Sequence, residues 1–96
     1  MSPLNKKKLN LLRFKLDKLD SELLMLIKKR SNIVNEVLKV KIHKSEIIDQ
    51  KRIAYILKKI KKKSIKLKID PKITNRIWKN MIWSFIDYEN RNFKKK

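Results

Sequence analysis

Apolar residues recur at spacings of mainly three, four and seven along the first part of the chain, which is the period of an amphipathic α-helix. No glycine or proline lies between Lys6 and Lys41, so the pattern predicts one helix over about residues 6–41. Its apolar positions are Leu9, Leu12, Leu16, Leu19, Leu23, Leu26, Ile27, Val34, Val37 and Leu38.

The length of this first helix predicts an oligomer. At ~1.5 Å per residue it would extend about 50 Å, whereas a compact domain of 96 residues has a radius of gyration of about 13 Å. The rest of the chain cannot cover such a helix. We therefore expect a partner chain, in a homodimer or a larger oligomer.

Two shorter helices are predicted in the remainder. Residues 42–48 break the pattern and carry a candidate cap at Ser45, and a second helix follows over about residues 49–65. Asp70 and Pro71 are typical of a helix start, which places a third helix over about residues 71–92. The basic tail 93–96 is expected to fray. The pattern predicts a single all-α domain with three helices, whose inward positions are Ile53, Ile56, Leu57, Ile60, Ile73, Ile77, Trp78, Met81, Ile82, Phe85 and Ile86.

Composition excludes several classes of site. The chain has no glycine, which excludes the glycine-rich phosphate loops of nucleotide-binding enzymes. It has no cysteine, which excludes thiol nucleophiles and cysteine-ligated zinc. The single histidine, His43, cannot form a multi-histidine metal site, and we expect it to be solvated. No apolar stretch approaches the ~20 residues of a membrane span, and none resembles a signal peptide. We expect a cytoplasmic protein without metal or cofactor.

The net charge of +19 has two interpretations. It is typical of a protein that binds nucleic acid or another polyanion. It is also the composition that an A/T-rich genome produces, because lysine, isoleucine and asparagine are all abundant and only five of the 28 basic residues are arginine. We favour the second interpretation, and we expect Trp78 and Trp83 to be core or subunit-seam residues, not platforms for base stacking.

Three cations fall inside the apolar pattern. Arg30 and Lys41 are eleven residues apart, which places both on one helix face with Val34 and Val37 between them. Such a pair costs desolvation free energy unless an anion compensates it. Arg52 begins the second helix close to apolar residues, where it could pair with Asp49 or join an anion site.

Arg13 lies about 100° from Arg30 in helical phase, because the two residues are seventeen positions apart. The two arginines therefore cannot serve one pocket within one chain. In an antiparallel dimer, Arg13 could reach the pocket of the partner, or its apolar stem could cover the seam between subunits.

The order of these residues resembles that of the all-helical, type II chorismate mutases. The segment LRFKLDKLDSELLMLIKKR at Leu12–Arg30 has an arginine near each end, and Lys41 follows eleven residues later. The second helix then opens with Asp49–Arg52, and the third opens with Ile69–Pro71, followed by an Ile77-Trp78 pair. The resemblance covers nearly the whole chain.

The resemblance implies an intertwined antiparallel homodimer that converts chorismate to prephenate in phenylalanine and tyrosine biosynthesis, a branch of the shikimate pathway. This pericyclic rearrangement needs no covalent intermediate. It implies that Arg30 and Arg13 of the partner subunit bind the two substrate carboxylates, and that Lys41 donates to the ether oxygen and a carboxylate. Arg52 would support the carboxylate end, and Asp49 would lie near the substrate hydroxyl.

Three positions depart from the family pattern. Ile53 stands where a glutamate often accepts from the substrate hydroxyl, and Phe85 stands where a small polar residue is common. Glu89 aligns with a glutamine that donates to the ether oxygen. A carboxylate there would repel the developing negative charge, so Glu89 could act only in its protonated form. We expect activity to fall as the pH rises.

Other functions stay open on the sequence. The short spacing from Lys41 to Arg52, together with Ile53 and Phe85, is similar to that of isochorismate-pyruvate lyases of the same fold. A lysine-rich helical nucleic-acid-binding protein is the alternative of another class. A mutase-like subunit without activity is a third alternative, given Ile53 and Glu89.

Overall fold

The chain is all-helical in a computed structural model that describes residues 1–95. Helix α1 spans Pro3–Val40, a 3₁₀ turn spans Lys44–Glu46, α2 spans Gln50–Lys66 and α3 spans Pro71–Asn92. No strand occurs in these described residues, which confirms the predicted fold class. The chain divides into two compact units, Met1–Ile33 and a second unit that begins at Val34.

The first unit consists of most of α1 and has no core of its own. The helix begins at Pro3, earlier than the pattern predicts, because Ser2 caps it by accepting a hydrogen bond from the backbone N–H of Asn5 at 3.2 Å. No residue of α1 is buried. The predicted apolar stripe, including Leu12, Leu16 and Leu23, is about half exposed to solvent.

The second unit has a small core. Ile47, Ile82 and Ile86 are buried, and five partly buried apolar residues pack against them: Leu38, Ile53, Ile56, Leu57 and Phe93. The core thus joins the last turns of α1 and the loop after it to α2 and α3. The prediction that the tail frays from residue 93 onward is wrong for Phe93, whose side chain packs against this core.

A buried polar contact also links α2 to α3. The Ser64 hydroxyl donates to the carbonyl oxygen of Ile60 at 2.6 Å and lies 2.7 Å from the Thr74 hydroxyl. Both side chains are almost fully buried. Because each hydroxyl has a partner, the contact avoids the free-energy cost of an unsatisfied buried polar group.

Two predicted inward positions of α3 are wrong. Ile73 and Ile77 are about half exposed, and the buried line of the helix contains Thr74 instead. Successive residues of an α-helix are rotated by about 100° around its axis. When Thr74 and Ile82 face the core, Ile73 and Ile77 therefore face solvent. Trp83, also expected in the core or a seam, is 47% exposed, whereas Trp78 is half-buried.

The turns between helices are formed without glycine. Lys68 has a φ of 59°, the left-handed conformation in which glycine is usual after a helix. The backbone N–H of Ile69 donates to Ser64, and that of Lys68 donates to Ile65, which is the hydrogen-bond pattern of a Schellman motif. Ser45 lies inside the 3₁₀ turn, so it is not the predicted cap of α2, a position that Asp49 occupies.

Candidate active site

Lys41 and Glu89 form an ion pair in the second unit. Lys41 directly follows the last residue of α1, and Glu89 lies on the buried face near the end of α3. The Lys41 Nζ lies 3.1 Å from Glu89 Oε1, and the two side chains are only 17% and 7% exposed. The structure therefore brings together two residues that the sequence resemblance assigns to the same substrate oxygen.

A second contact holds the same ends of α1 and α3 together. The Tyr88 hydroxyl donates to Asn35 Oδ1 at 2.8 Å, and both residues are half-buried. Tyr88 directly precedes Glu89, so two consecutive residues of α3 contact the end of α1, one through this hydrogen bond and the other through the ion pair. Together they restrict where the ammonium group of Lys41 can lie.

The loop after Lys41 is closed by an acidic side chain. The Glu46 carboxylate accepts from the backbone N–H groups of Ile42 and His43, both at 3.4 Å. This carboxylate satisfies two backbone donors that no helix pairs. His43 itself is exposed, as expected.

Asp49 and Arg52 lie together at the start of α2 without forming a side-chain ion pair. Asp49 Oδ1 accepts from the backbone N–H of Arg52 at 3.0 Å, which makes Asp49 the N-cap of the helix. The Arg52 guanidinium instead lies over the ring of Tyr55, 5.4 Å from its centroid, and Lys59 lies over the same ring at 5.7 Å. The Asp49–Arg52 ion pair considered above is therefore absent from the described chain.

An open depression of about 490 Å³ adjoins these residues. It is lined by Lys41, Glu46, Ile48, Asp49, Gln50 and Lys51. Two lysines and two acidic residues therefore border this cavity, and Lys41 and Asp49 are among them.

The other positions singled out in the sequence lie as follows. Ile53 is half-buried and packs against the core of the second unit, and Phe85 on α3 is also half-buried. In the first unit, Arg13 is exposed and Arg30 is half-buried, both on α1. Their binding roles stay predictions.

Three contacts near the site were missed from the sequence. The Asn35–Tyr88 hydrogen bond depends on tertiary structure, because its residues lie 53 positions apart. The Glu46 loop closure is local and could have been found, because a glutamate three residues after a helix cap is a capping-box pattern. The Tyr55 contact with Arg52 could have been found, because residues three apart share a helix face.

Residues 1–95 contain neither a cluster of metal-binding side chains nor a membrane-spanning helix. No group of three or more histidine or acidic side chains lies close enough to hold a metal ion. None of the helices there is long and apolar enough to cross a membrane.

The burial of the Lys41–Glu89 pair predicts an asymmetric effect on stability. Lys41→Met should lower the free energy of unfolding by about 2–3 kcal/mol, because it leaves a buried carboxylate unpaired. Lys41→Met combined with Glu89→Leu should recover most of that loss. Urea unfolding at neutral pH would measure both.

The exposed ion pair of Lys39 and Glu36, whose side chains are 72% and 73% exposed, is a matched control. Lys39→Met should change the unfolding free energy by less than about 0.5 kcal/mol. Equal losses in Lys41→Met and in the double variant would show that Lys41 and Glu89 are not coupled.

The chain matches a known protein family. The family described as chorismate mutase type II matches residues 12–90, which is most of the 96-residue chain. No curated protein and no solved structure matches the chain. The matched segment contains every site position discussed above, and the match supports chorismate mutase activity, an isomerase activity, in general terms. The chain belongs to the chorismate mutase type II family.

Proposed function

We propose that the chain is a chorismate mutase that works as a homodimer and rearranges chorismate to prephenate. The observation that carries the proposal is Lys41, a residue that borders an open cavity and whose ammonium group is held against α3 by Glu89. Family membership over residues 12–90 supplies the reaction class.

The reaction suits a site made of cations. Chorismate is a dianion, and its rearrangement breaks an ether bond while a carbon–carbon bond forms within the same molecule. No nucleophile or redox group is needed. The enzyme must hold the substrate in a compact, chair-like conformation and stabilise the negative charge that grows on the ether oxygen.

Lys41 is the proposed donor to that oxygen. Its ammonium group has three N–H donors, and one of them is directed to Glu89. The remaining donors can reach the ether oxygen and a carboxylate of the substrate. Because Glu89 and the core around it hold the stem of Lys41, this donor is ordered before the substrate binds, so little reorganisation is required during the reaction.

The substrate carboxylates are assigned to arginines. Arg30 and Arg13 of the partner subunit would bind them through paired N–H donors, which match the geometry of a carboxylate. Arg52 would leave the ring of Tyr55 and support the carboxylate end. Asp49 uses Oδ1 to cap α2, so its Oδ2 is the oxygen proposed to accept from the substrate hydroxyl.

The homodimer is proposed from the exposed face of α1. A helix of 38 residues on which no residue is buried leaves many leucine side chains in water. Each such side chain gains about 1.5–3 kcal/mol on full burial. A second copy of the same helix, packed antiparallel, offers the complementary apolar stripe and would deliver Arg13 to the site of its partner.

Isochorismate-pyruvate lyase activity is the second candidate. Ile53 packs on the core and Phe85 is half-buried, so two positions that are often polar in mutases present apolar groups here. Both reactions are pericyclic and both need a bound dianion. The two activities differ in the substrate and in whether pyruvate is released.

Incubating the purified protein with chorismate and with isochorismate would test this proposal. We expect prephenate from chorismate, with a loss of at least about 100-fold in kcat/KM for Arg30→Ala and for Lys41→Ala, because each removes a charged donor to the transition state. Lys39→Ala, beside the site, should retain activity. Salicylate and pyruvate from isochorismate, without prephenate from chorismate, would establish the lyase instead.

Mixing two inactive variants would test the shared site. In a symmetric dimer, Arg13→Ala and Arg30→Ala chains together form one intact site per mixed dimer, so a 1:1 mixture that exchanges subunits should regain about a quarter of wild-type activity. Each variant alone should be inactive. No recovery in a mixture shown to contain mixed dimers would contradict the delivery of Arg13 by a partner.

Glu89→Gln tests the role of Glu89. A protonated carboxyl could donate to the ether oxygen, whereas the carboxylate that pairs with Lys41 repels the negative charge that develops there. An amide can donate to that oxygen, so Glu89→Gln should raise kcat at neutral pH. An unchanged or lower kcat for Glu89→Gln would contradict the role.

A further inference from the structure

The segment from Lys58 to Lys72 has an unusual concentration of positive charge. It contains eight lysines and a single acidic residue, Asp70, within fifteen residues. All eight lysines are exposed. Asp70 Oδ1 accepts from the backbone N–H of Lys72 at 2.9 Å, so that carboxylate caps α3 and does not pair with a lysine ammonium group.

No other carboxylate of the second unit is available to this segment. Between Val34 and Lys95 there are six acidic residues, and each is used in a helix cap, a loop closure or an ion pair with a cation outside the segment: Glu36, Glu46, Asp49, Asp70, Asp87 and Glu89. Across residues 1–95, none of the eight lysines lies within ion-pair distance of a carboxylate.

Three of these lysines form a line on the outer side of α2, which we name the lysine row: Lys58, Lys62 and Lys66. Their spacing of four residues places them on one helix face, about 6 Å apart along the axis. Like charges at this spacing repel each other and destabilise a helix by a few tenths of a kcal/mol per pair. An anionic partner would relieve this repulsion.

The charged surface continues beyond the lysine row. An open groove of about 440 Å³ between α2 and α3 is lined by Leu57, Lys58, Lys61, Pro71, Lys72 and Asn75. Three lysines therefore border this groove, one of them on α3. The surface is wide enough to meet several charges of an extended anion at once.

We propose that the lysine row and the adjoining groove bind the phosphate backbone of a nucleic acid. Lysine is a compact point charge that pairs readily with phosphate. Arginine, asparagine and glutamine most often read base edges, and the lysine row and groove contain one such residue, Asn75. Binding is therefore dominated by phosphate charge, depends strongly on salt and does not involve the catalytic residues.

A matched pair of triple variants tests this proposal. Lys58, Lys62 and Lys66 are replaced by glutamine in one variant, and Lys6, Lys7 and Lys8 in the other. Both variants lose three exposed helical charges, and glutamine keeps a similar helix propensity. The three N-terminal lysines are consecutive, so they point in different directions around α1 and do not form a row.

Binding to a fluorescein-labelled mixed-sequence DNA duplex of about 20 base pairs would be measured by anisotropy from 50 to 200 mM salt, the range over which phosphate contacts weaken most visibly. Wild type should bind with a micromolar dissociation constant at the lower salt. The lysine-row variant should bind at least tenfold more weakly, and its salt slope should decrease by about 2–3. The N-terminal variant should stay within twofold of wild type, and unchanged circular dichroism would show that both variants fold.

Three outcomes would overturn the proposal. Equal loss in the two variants would show that net charge alone attracts the duplex. Polyglutamate and unlabelled duplex would be compared as competitors at equal concentrations of negative charge. If polyglutamate displaced the labelled duplex as readily as unlabelled duplex did, the surface would be assigned to acidic proteins. Absence of binding by the wild-type protein at 50 mM salt would contradict the proposal that this surface binds nucleic acid.

Discussion

The position of Lys41 against α3 is the contact on which the site depends. Lys41 lies just beyond the end of α1, where its backbone N–H still donates to the carbonyl oxygen of Leu38 at 3.3 Å, and its ammonium group is fixed by Glu89 at 3.1 Å. The small core around Ile47, Ile82 and Ile86 supports both partners. A buried charge is tolerated only beside an opposite one, so the pair determines which way the end of α1 faces.

Acidic residues are scarce, and each of the six between Val34 and Lys95 has a structural role. The chain has nine acidic and 28 basic residues, and every carboxylate between Val34 and Lys95 caps a helix, closes the loop or pairs with a cation. Without glycine, the chain also forms its α2–α3 turn with Lys68 in a left-handed conformation. The fold therefore relies on caps and side-chain contacts, because flexible turn residues are absent.

The same scarcity separates two kinds of positive charge. Lys41 is partly buried and paired, which suits a donor held ready for a small dianion. The lysines of Lys58–Lys72 are exposed and have no carboxylate partner in the described chain, which suits a large, flexible anion. Composition alone does not distinguish these two settings.

The sequence alone determined the three helices, because the helical period of apolar residues and the Asp70-Pro71 start are local signals. The order of Arg13, Arg30, Lys41 and Arg52 also indicated the family. Side-chain partners required the tertiary structure. Only the fold shows that Lys41 meets Glu89 and that Thr74 is buried while Ile73 is exposed. The physical reason is that helical phase places a residue on a face, whereas packing between helices decides which part of that face is covered.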